Sequence, residues 1–245
     1  MTPQRTYRRF SHKGANFRIC CELFEQVTGE IVRQRALLEA YIESHPRFAT
    51  SMSPVAAAPE APEVARLMAA AAERAGVGPM AAVAGTMAQL AARAALDRGA
   101  EEAIVENGGD VYLVSTRPVV VALYAGKARG ADRLAFAVQP DSMPLAVCSS
   151  SGRMGHSVSL GDCDLATVVA PDAALADAAA TWAANMVRSA NDIDNTLKQI
   201  AAIKGVAGAL LVKDARVGLV GRLPELVKNR DAEVGRKITR DPRSL

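Results

Sequence analysis

The sequence predicts an α+β fold in which a mainly antiparallel sheet packs against helices. Segments with strand character come in runs, and so do segments with helical character, whereas alternating βαβ units would interleave the two. Asn107-Gly108, which lies between two short apolar runs, is a strong signal for a tight β-hairpin. The chain has 245 residues with 50% hydrophobic content, which is sufficient for a packed core.

The N-terminal part of the chain predicts a unit of strands and one helix. Residues 5–24 alternate between apolar and polar side chains, which indicates one or two strands. Apolar residues of 30–44 recur at helical spacing, and His45-Pro46 ends this helix because proline cannot continue the hydrogen-bond ladder. Residues 51–62 are rich in Ala and Pro and predict a connector. We predict a single domain over 1–245, with this unit at 1–50, the core at 62–227 and a frayed polar tail at 228–245.

The rest of the chain predicts helices, then a run of strands, then two helices and a closing pair of strands. Helices are predicted over 62–76 and 80–97, and the small residues on one face of the second can pack closely on another element or a ligand. Short apolar or alternating segments then predict strands. These strands are 103–106, 111–114, 119–124, 134–138, 145–148 and 165–170. The closing elements are helices 173–188 and 193–203 and strands 209–213 and 217–220.

Composition and charge argue against several classes of protein. The formal net charge is +3, basic and acidic residues are interspersed, and aromatic residues make up 4%, whereas a nucleic-acid surface needs a concentrated basic stripe. No apolar leader follows the basic N-terminus, and the longest uncharged run is too short and too weakly apolar to span a bilayer. We therefore expect a cytoplasmic protein that binds neither nucleic acid nor a membrane.

The segment Asn107-Gly108-Gly109-Asp110 has two interpretations. It is typical of a tight turn, because Gly accepts the positive φ that such turns require. The same glycines also let backbone amides approach a phosphate or a ribose, with Asn107 and Asp110 as polar contacts. The spacing alone favours the plain turn.

A serine-rich segment follows the predicted strand 145–148. Hydroxyls, glycines and one histidine are concentrated here, in Ser149, Ser150, Ser151, Gly152 and His156. Loops of this composition bind anions, and a plain polar loop is an equally good interpretation. The segment lacks both the Gly-x-Ser-x-Gly elbow of hydrolases and the Walker A pattern.

Asp177 and Thr181 lie one turn apart on the predicted helix 173–188. Helical spacing places them opposite the large apolar side chains Leu175, Trp182 and Met186, which favours a solvated face. Methyl groups of alanine surround Asp177, however, where a wet face normally carries Lys and Glu. A carboxylate and a hydroxyl at this spacing can bind one hard cation such as Mg²⁺ if phosphate oxygens of a ligand complete its shell.

Taken together, these segments resemble the ApbE-like superfamily, whose best-known members are the FAD:protein FMN transferases. The match runs from about 77 to 187 and includes the helix with Gly85, the strand and turn AIVENGGD at 103–110, the Ser-Ser-Gly segment and ADAAAT at 176–181. The family carries Asn-x-Gly-Gly-Asp and Ala-Asp-Ala-x-x-Thr at the corresponding places. Residues 5–50 resemble only a shorter bacterial and archaeal branch of the superfamily.

The resemblance implies a T-fold-like architecture and a flavin-nucleotide site for FAD or FMN. It implies that Asp177 and Thr181 bind Mg²⁺, that Asp177 is catalytic, and that His156 carries a proton, since its ordinary pKa suits acid and base roles. The cofactor-binding residues it implies are Gly85, Asn107, Gly108, Gly109, Asp110, Ser149, Ser150, Ser151 and Gly152. In the transferases FMN passes to Ser or Thr of an acceptor protein and AMP leaves.

Two departures from the transferase pattern keep alternative functions open. The family's Lys-Gly pair is Ala84-Gly85 here, and its His-x-x-Asp-Pro-x-x-Gly stretch is replaced by residues 155–164. One hypothesis is an Mg²⁺-dependent enzyme that transfers FMN or cleaves a pyrophosphate. A second is a non-catalytic carrier of a flavin or another phosphorylated ligand, and a third is that Asp177 and Thr181 support an Ala-rich interface in a homo-oligomer.

Overall fold

A large antiparallel sheet, with helices on one face and a small sheet on the other, forms the fold in the computed structural model. The model describes residues 4–124, 134–152 and 161–229. Within them the large sheet has eight strands and the small sheet has three. The predicted α+β class with a mainly antiparallel sheet is confirmed.

The large sheet contains strands from both halves of the chain. Its strands are β1 (Arg8–His12), β2 (Ala15–Cys21), β3 (Ala103–Asn107), β4 (Asp110–Val114), β7 (Leu145–Ser150), β8 (Leu165–Ala170), β9 (Gly208–Lys213) and β10 (Arg216–Gly221), in that spatial order. The small sheet has the order β11 (Glu225–Lys228), β6 (Leu134–Val138), β5 (Val119–Ala122). All neighbouring pairs are antiparallel.

Five of the six helices in the described residues correspond to the predicted helices with shifted boundaries, and the second was not predicted. The six helices are α1 (Phe24–Ser44), α2 (Pro46–Thr50), α3 (Glu63–Ala75), α4 (Val83–Leu96), α5 (Ala173–Met186) and α6 (Ile193–Ala201). Short 3₁₀ turns lie at Pro79–Ala82, Pro140–Ser142 and Ala190–Asp192. The helix predicted from residue 80 therefore begins as a 3₁₀ turn, since Pro79 starts that turn without needing an amide donor.

Two predicted boundaries are wrong: the start of the first helix and the start of the C-terminal tail. Helix α1 begins at Phe24, six residues before the predicted start, because buried Phe24 and Val27 compensate for Gly29 inside the helix. The predicted frayed tail from 228 overlaps β11, which ends at Lys228 and pairs with β6. The remaining tail residues, 230–245, lie outside the described residues.

The period of two along each strand separates two hydrophobic cores. Alternate strand residues, such as Val105, Ala146 and Val168, pack against the helices. Their neighbours Ile104 and Val147 pack against the small sheet. The large sheet is therefore covered on both faces, and each strand contributes side chains to two different environments.

Helix α5 is buried on nearly all sides by its own chain. Its residues 173–180 are buried, with α3, α4, β7 and β8 packed around them. The predicted apolar stripe is wrong in part, because Met186 is 42% exposed while Asp177 on the opposite side is buried. The same burial overturns the hypothesis of an oligomer interface on this alanine face, since this chain already covers it.

Among the described residues, no single helix is long and apolar enough to span a membrane. The pair Glu63–Ala75 and Pro79–Leu96 passes the criteria of length and composition together, with a bend of 105° between its two parts.

Gly85 allows α4 and α5 to approach closely. A Cβ atom built on Gly85 would lie 2.3 Å from the carbonyl oxygen of Ala173 and 2.9 Å from Cβ of Asp177. A side chain at this position would therefore push the two helices apart.

We expect Gly85→Ala to lower the free energy of unfolding by about 1–3 kcal/mol, because the added methyl group overlaps backbone that cannot move alone. Gly29→Ala in α1 is the matched control, since no atom lies within 4 Å of its Cβ position. We expect that change to stabilise the protein by about 0.5–1 kcal/mol through helix propensity. Urea unfolding of both variants measures the two effects, and equal behaviour would contradict the close contact.

Candidate functional site

Asp177 caps the N-terminus of a neighbouring helix. Its Oδ2 accepts a hydrogen bond of 2.9 Å from the amide of Gly85, and the amide of Ala84 also donates to this carboxylate. The N-cap residue of α4 itself, Ala82, makes no side-chain capping bond. The carboxylate of α5 therefore satisfies first-turn amides that α4 cannot satisfy internally.

Helix α4 caps α5 in return. The Oε1 atom of Gln89 accepts a 2.6 Å hydrogen bond from the amide of Ala173, the first residue of α5. Asp172 caps the same helix locally, with its Oδ1 accepting from the amide of Ala174 at 3.0 Å. Each helix thus depends on the other for part of its capping.

Asp110 is a second buried carboxylate beside Asp177. It begins β4, and its Oδ1 accepts a 3.1 Å hydrogen bond from the amide of Ser149 on β7. Burial raises the pKa of Asp110 from 3.8 to about 7, and the charge of Glu106 acts in the same direction, although the bonds from Ser149 and the Cys148 thiol oppose it. Burial therefore favours the protonated form of this carboxyl.

The pKa of Asp177 is raised well above its ordinary value, first by burial and then by the charge of Asp110. The two backbone donors on α4 act in the opposite direction. We call Asp110 and Asp177 the carboxylate pair. Two desolvated acids that repel each other favour binding either a proton or a cation.

Cys148 lies beside both members of the carboxylate pair. Its Sγ–H donates to the carbonyl of Ala173 at 3.7 Å, and its thiol also hydrogen-bonds Asp110. Burial, together with the charges of Asp110 and Asp177, raises the pKa of this thiol well above its usual range. Cys148 therefore stays protonated and acts as a hydrogen-bond donor.

The segment 107–110 forms the predicted hairpin turn. Asn107 pairs with Asp110 in the ladder, and Gly108 and Gly109 have φ values of 65° and 107°. The Nδ2 of Asn107 donates to the carbonyl of Ala84 at 3.4 Å, which connects the turn to the start of α4. Both interpretations of the motif survive, because the turn lies directly beside the carboxylate pair.

The serine segment is arranged differently from the predicted loop. Strand β7 continues to Ser150, so Ser149 and Ser150 belong to the sheet and face opposite sides of it. Ser149 shares a 2.9 Å hydrogen bond with the hydroxyl of Thr167. Ser151 donates to the carbonyl of Cys163 at 3.3 Å, and the amide of Gly152 donates to the same oxygen at 2.8 Å.

The carboxylate pair and Thr181 carry oxygen atoms of the type that binds hard cations. Thr181 is half-buried one turn after Asp177, and its hydroxyl makes no hydrogen bond to another described residue. Carboxylate and hydroxyl oxygens are the ligands that Mg²⁺ prefers. The described residues hold no group of three or more His, Cys, Asp or Glu side chains that could bind a metal. A cation here therefore needs further oxygens from a ligand or from water.

Of the two remaining predicted site residues, Gly85 and His156, the structure describes only Gly85. Gly85 lies in the contact between α4 and α5, where its amide holds Asp177. His156 lies outside the described residues.

A cavity of about 660 Å³, which sequence reasoning missed, lies between the two sheets. Ile104, Val111 and Val147 line it from the large sheet, and Val121 and Val227 line it from the small sheet. The one signal for this cavity in the sequence was the alternation of polar and apolar residues in β2 and β3. That alternation places Arg18 and Glu106 on the face of the large sheet away from the helices.

The fold is that of ApbE proteins. The flavinyl transferase ApbE of Pseudomonas stutzeri has a TM-score of 0.57 at 14% identity, and the match covers 92% of this chain and 97% of that one. A variant of the flavin transferase ApbE of Vibrio cholerae has a TM-score of 0.54 at 13% identity, and the match covers 89% of this chain and 97% of that one. At these identities the likeness establishes the fold.

The chain belongs to the family described as AbpE bacteria, whose model matches residues 8–217. Relatives include a UPF0280 protein of Methanococcus vannielii, which is 39% identical over 86% of this chain and 87% of that protein. A UPF0280 protein of Methanocaldococcus jannaschii is 40% identical over 84% of this chain and 85% of its own length. The resemblance to the ApbE-like superfamily is thereby confirmed.

The raised pKa of Asp110 predicts that stability depends on pH. Because its pKa is about 7 in the folded state and 3.8 is the ordinary value, the folded state holds the proton more tightly than the unfolded chain. In the presence of a chelator, the contribution of Asp110 to the free energy of unfolding should therefore fall as the pH rises from about 4 to about 7. Denaturant unfolding at several pH values measures this slope.

Asp110→Asn should reduce that slope, since the amide does not ionise. The exposed Asp141, changed to Asn, serves as the control and should leave the slope unchanged. A pH slope in Asp110→Asn equal to that of the wild type would contradict the assignment.

Proposed function

We propose that the protein binds a flavin nucleotide, FAD or FMN, or a related phosphorylated ligand together with Mg²⁺, and that it transfers FMN or cleaves the pyrophosphate. The carboxylate pair beside the Gly108-Gly109 turn is the observation that carries this proposal. It combines buried acidic oxygens with backbone that can approach a phosphate closely. Flavin transferases share this fold, so a flavin is the first ligand to test.

Asp177 and Thr181 would hold the metal, and Asp110 would add negative charge beside it. When bound, Mg²⁺ neutralises phosphate charge and so favours attack on phosphorus. The amides of Ala84 and Gly85 keep the Asp177 carboxylate fixed, so that its orientation is set before any ligand arrives. Asn107 holds the turn against the same end of α4.

His156 remains the proposed proton carrier, and a Ser or Thr of an acceptor protein remains the proposed acceptor of FMN. Catalysis by positioning and charge neutralisation needs few reacting side chains, which agrees with the small number of titratable groups at the carboxylate pair.

The second candidate function is a non-catalytic carrier of the ligand, and the identity of Ala84 favours it. Ala84 occupies the position of the family's lysine, and its backbone contacts Asp177 and Asn107 without any cationic side chain. The cationic contact to the cofactor that this lysine implies is therefore missing here, which favours a carrier that binds without turnover.

We expect Asp177→Asn to abolish Mg²⁺-dependent binding of FAD. The amide oxygen can still cap α4, so the fold should survive while the charge for the metal is lost. Calorimetry with FAD and Mg²⁺ measures binding, and chromatography for AMP and FMN measures cleavage. Asp172→Asn is the matched control, because Asp172 caps α5, the helix that carries Asp177, without belonging to the carboxylate pair.

If Asp177→Asn bound FAD as tightly as the wild type, the metal site would be refuted. Release of AMP or FMN by the wild type would establish an enzyme. Tight Mg²⁺-dependent binding without release would support the carrier. When release occurs, His156→Ala tests the proton carrier, which would be wrong if the rate did not change.

Thr181→Val should weaken Mg²⁺ affinity in the presence of FAD by about tenfold or more, because it removes one oxygen ligand and keeps the shape of the side chain. Thr181→Ser keeps the hydroxyl and should bind nearly as well as the wild type. Titration of Mg²⁺ by calorimetry compares the two variants, and equal affinities would remove Thr181 from the proposed ligands.

A further inference from the structure

Within the described residues, two polar groups of the inter-sheet cavity have no hydrogen-bond or ion-pair partner. They are the guanidinium of Arg18 and the hydroxyl of Tyr7. Both side chains are half-buried, and the guanidinium carbon of Arg18 lies 3.9 Å from the ring centroid of Tyr7. Burial raises the pKa of Tyr7 above its ordinary value, so its hydroxyl keeps the proton. The two groups therefore offer adjacent donors to a ligand in the cavity.

The charge of the lining fits an anion with a single negative charge. Arg18 and Lys228 are its cationic side chains and Glu106 is its acidic one, so the lining has one more positive than negative charge. The Oε1 atom of Glu106 accepts a 3.0 Å hydrogen bond from the amide of Gly109, at the hairpin turn. A carboxylate carries one charge and accepts two parallel hydrogen bonds from a guanidinium, which makes it a suitable partner for Arg18.

The other walls of the cavity are mainly aliphatic. Ile104, Val111 and Val147 line it from the large sheet. Val121 lines it from the small sheet, and its register partner Phe136 is fully buried in the core between the sheets, so both side chains face the large sheet. The volume of about 660 Å³ lies within the range typical of small-molecule sites. An aliphatic chain is therefore the complementary body of a ligand here.

We propose that the inter-sheet cavity binds an aliphatic monocarboxylic acid, with its carboxylate at Arg18 and Tyr7 and its hydrocarbon chain between the two sheets. The carboxylate would accept hydrogen bonds from both side chains, and the aliphatic walls would remove the chain from water. This site lies on the opposite face of the large sheet from the carboxylate pair, because Asp110 and Val111 are neighbours on β4 and face opposite sides. It goes beyond the proposed function and needs no Mg²⁺.

Calorimetry with decanoate in the presence of a chelator tests the site directly. We expect saturable binding of a single decanoate per chain. Decanol has the same chain length without the charge and should bind at least tenfold more weakly. Octanoate should bind about tenfold more weakly than decanoate, since each methylene group removed from water contributes about fourfold in affinity.

The carboxylate end of the ligand is tested by changes at Arg18 and Tyr7. Arg18→Gln should weaken decanoate at least tenfold and leave decanol unchanged, because it removes the charged donor. Arg8→Gln is the matched control, since the guanidinium of Arg8 lies over the ring of Phe24 in the same way, at 3.5 Å, but on the helix face of the sheet. Tyr7→Phe keeps the ring beside Arg18 and should weaken decanoate several-fold through loss of the hydroxyl.

The chain end of the ligand is tested by filling the cavity. Val121→Trp should weaken both decanoate and decanol at least tenfold. Its control is Ala137→Trp, because Ala137 follows Phe136 on β6 and therefore faces away from the large sheet. Circular dichroism verifies that each variant is folded, and Arg18→Gln carries the test if Val121→Trp is not.

Absence of saturable decanoate binding to the wild type would overturn the proposal. Equal affinities for decanoate and decanol would also overturn it, as would an Arg18→Gln variant that binds decanoate as tightly as the wild type, because the carboxylate would not be recognised. Decanoate binding that is unchanged in Val121→Trp, or weakened equally in Ala137→Trp, would place the acid outside the inter-sheet cavity.

Discussion

The rest of the structure depends on the contact between the first turn of α4 and α5, where no side chain separates the two helices. Gly85 leaves the space, and Asp177 satisfies amides that this close approach would otherwise bury without partners. The same contact removes water from the carboxylate and raises its pKa. The structural and chemical roles of Asp177 are therefore two results of one packing constraint.

The large sheet organises the remaining groups because its side chains alternate between faces. Asp110 and Cys148 face the helices, whereas Glu106 and Ser149 face the cavity. Neighbouring residues of one sequence motif therefore lie on opposite faces of the sheet, in two different environments. The hairpin turn at Gly108-Gly109 is the place where the chain passes between them.

Features that depend on residues close together in the sequence were predictable. Strands 134–138 and 165–170 match the prediction to the residue, because both are short apolar runs, and the turn at 107–110 was evident from its glycines. The capping of α4 by Asp177 was not predictable, because Gly85 and Asp177 are 92 positions apart. Strand β11 was missed because four residues are too few to show a period.

The order of the strands along the chain also bears on biosynthesis. Every strand of the large sheet precedes β11, which supplies Val227 and Lys228 to the cavity and pairs with β6. During translation the chain can therefore complete the large sheet and the carboxylate pair while the wall of the cavity is still missing. The inter-sheet cavity is therefore enclosed only when β11 pairs with β6.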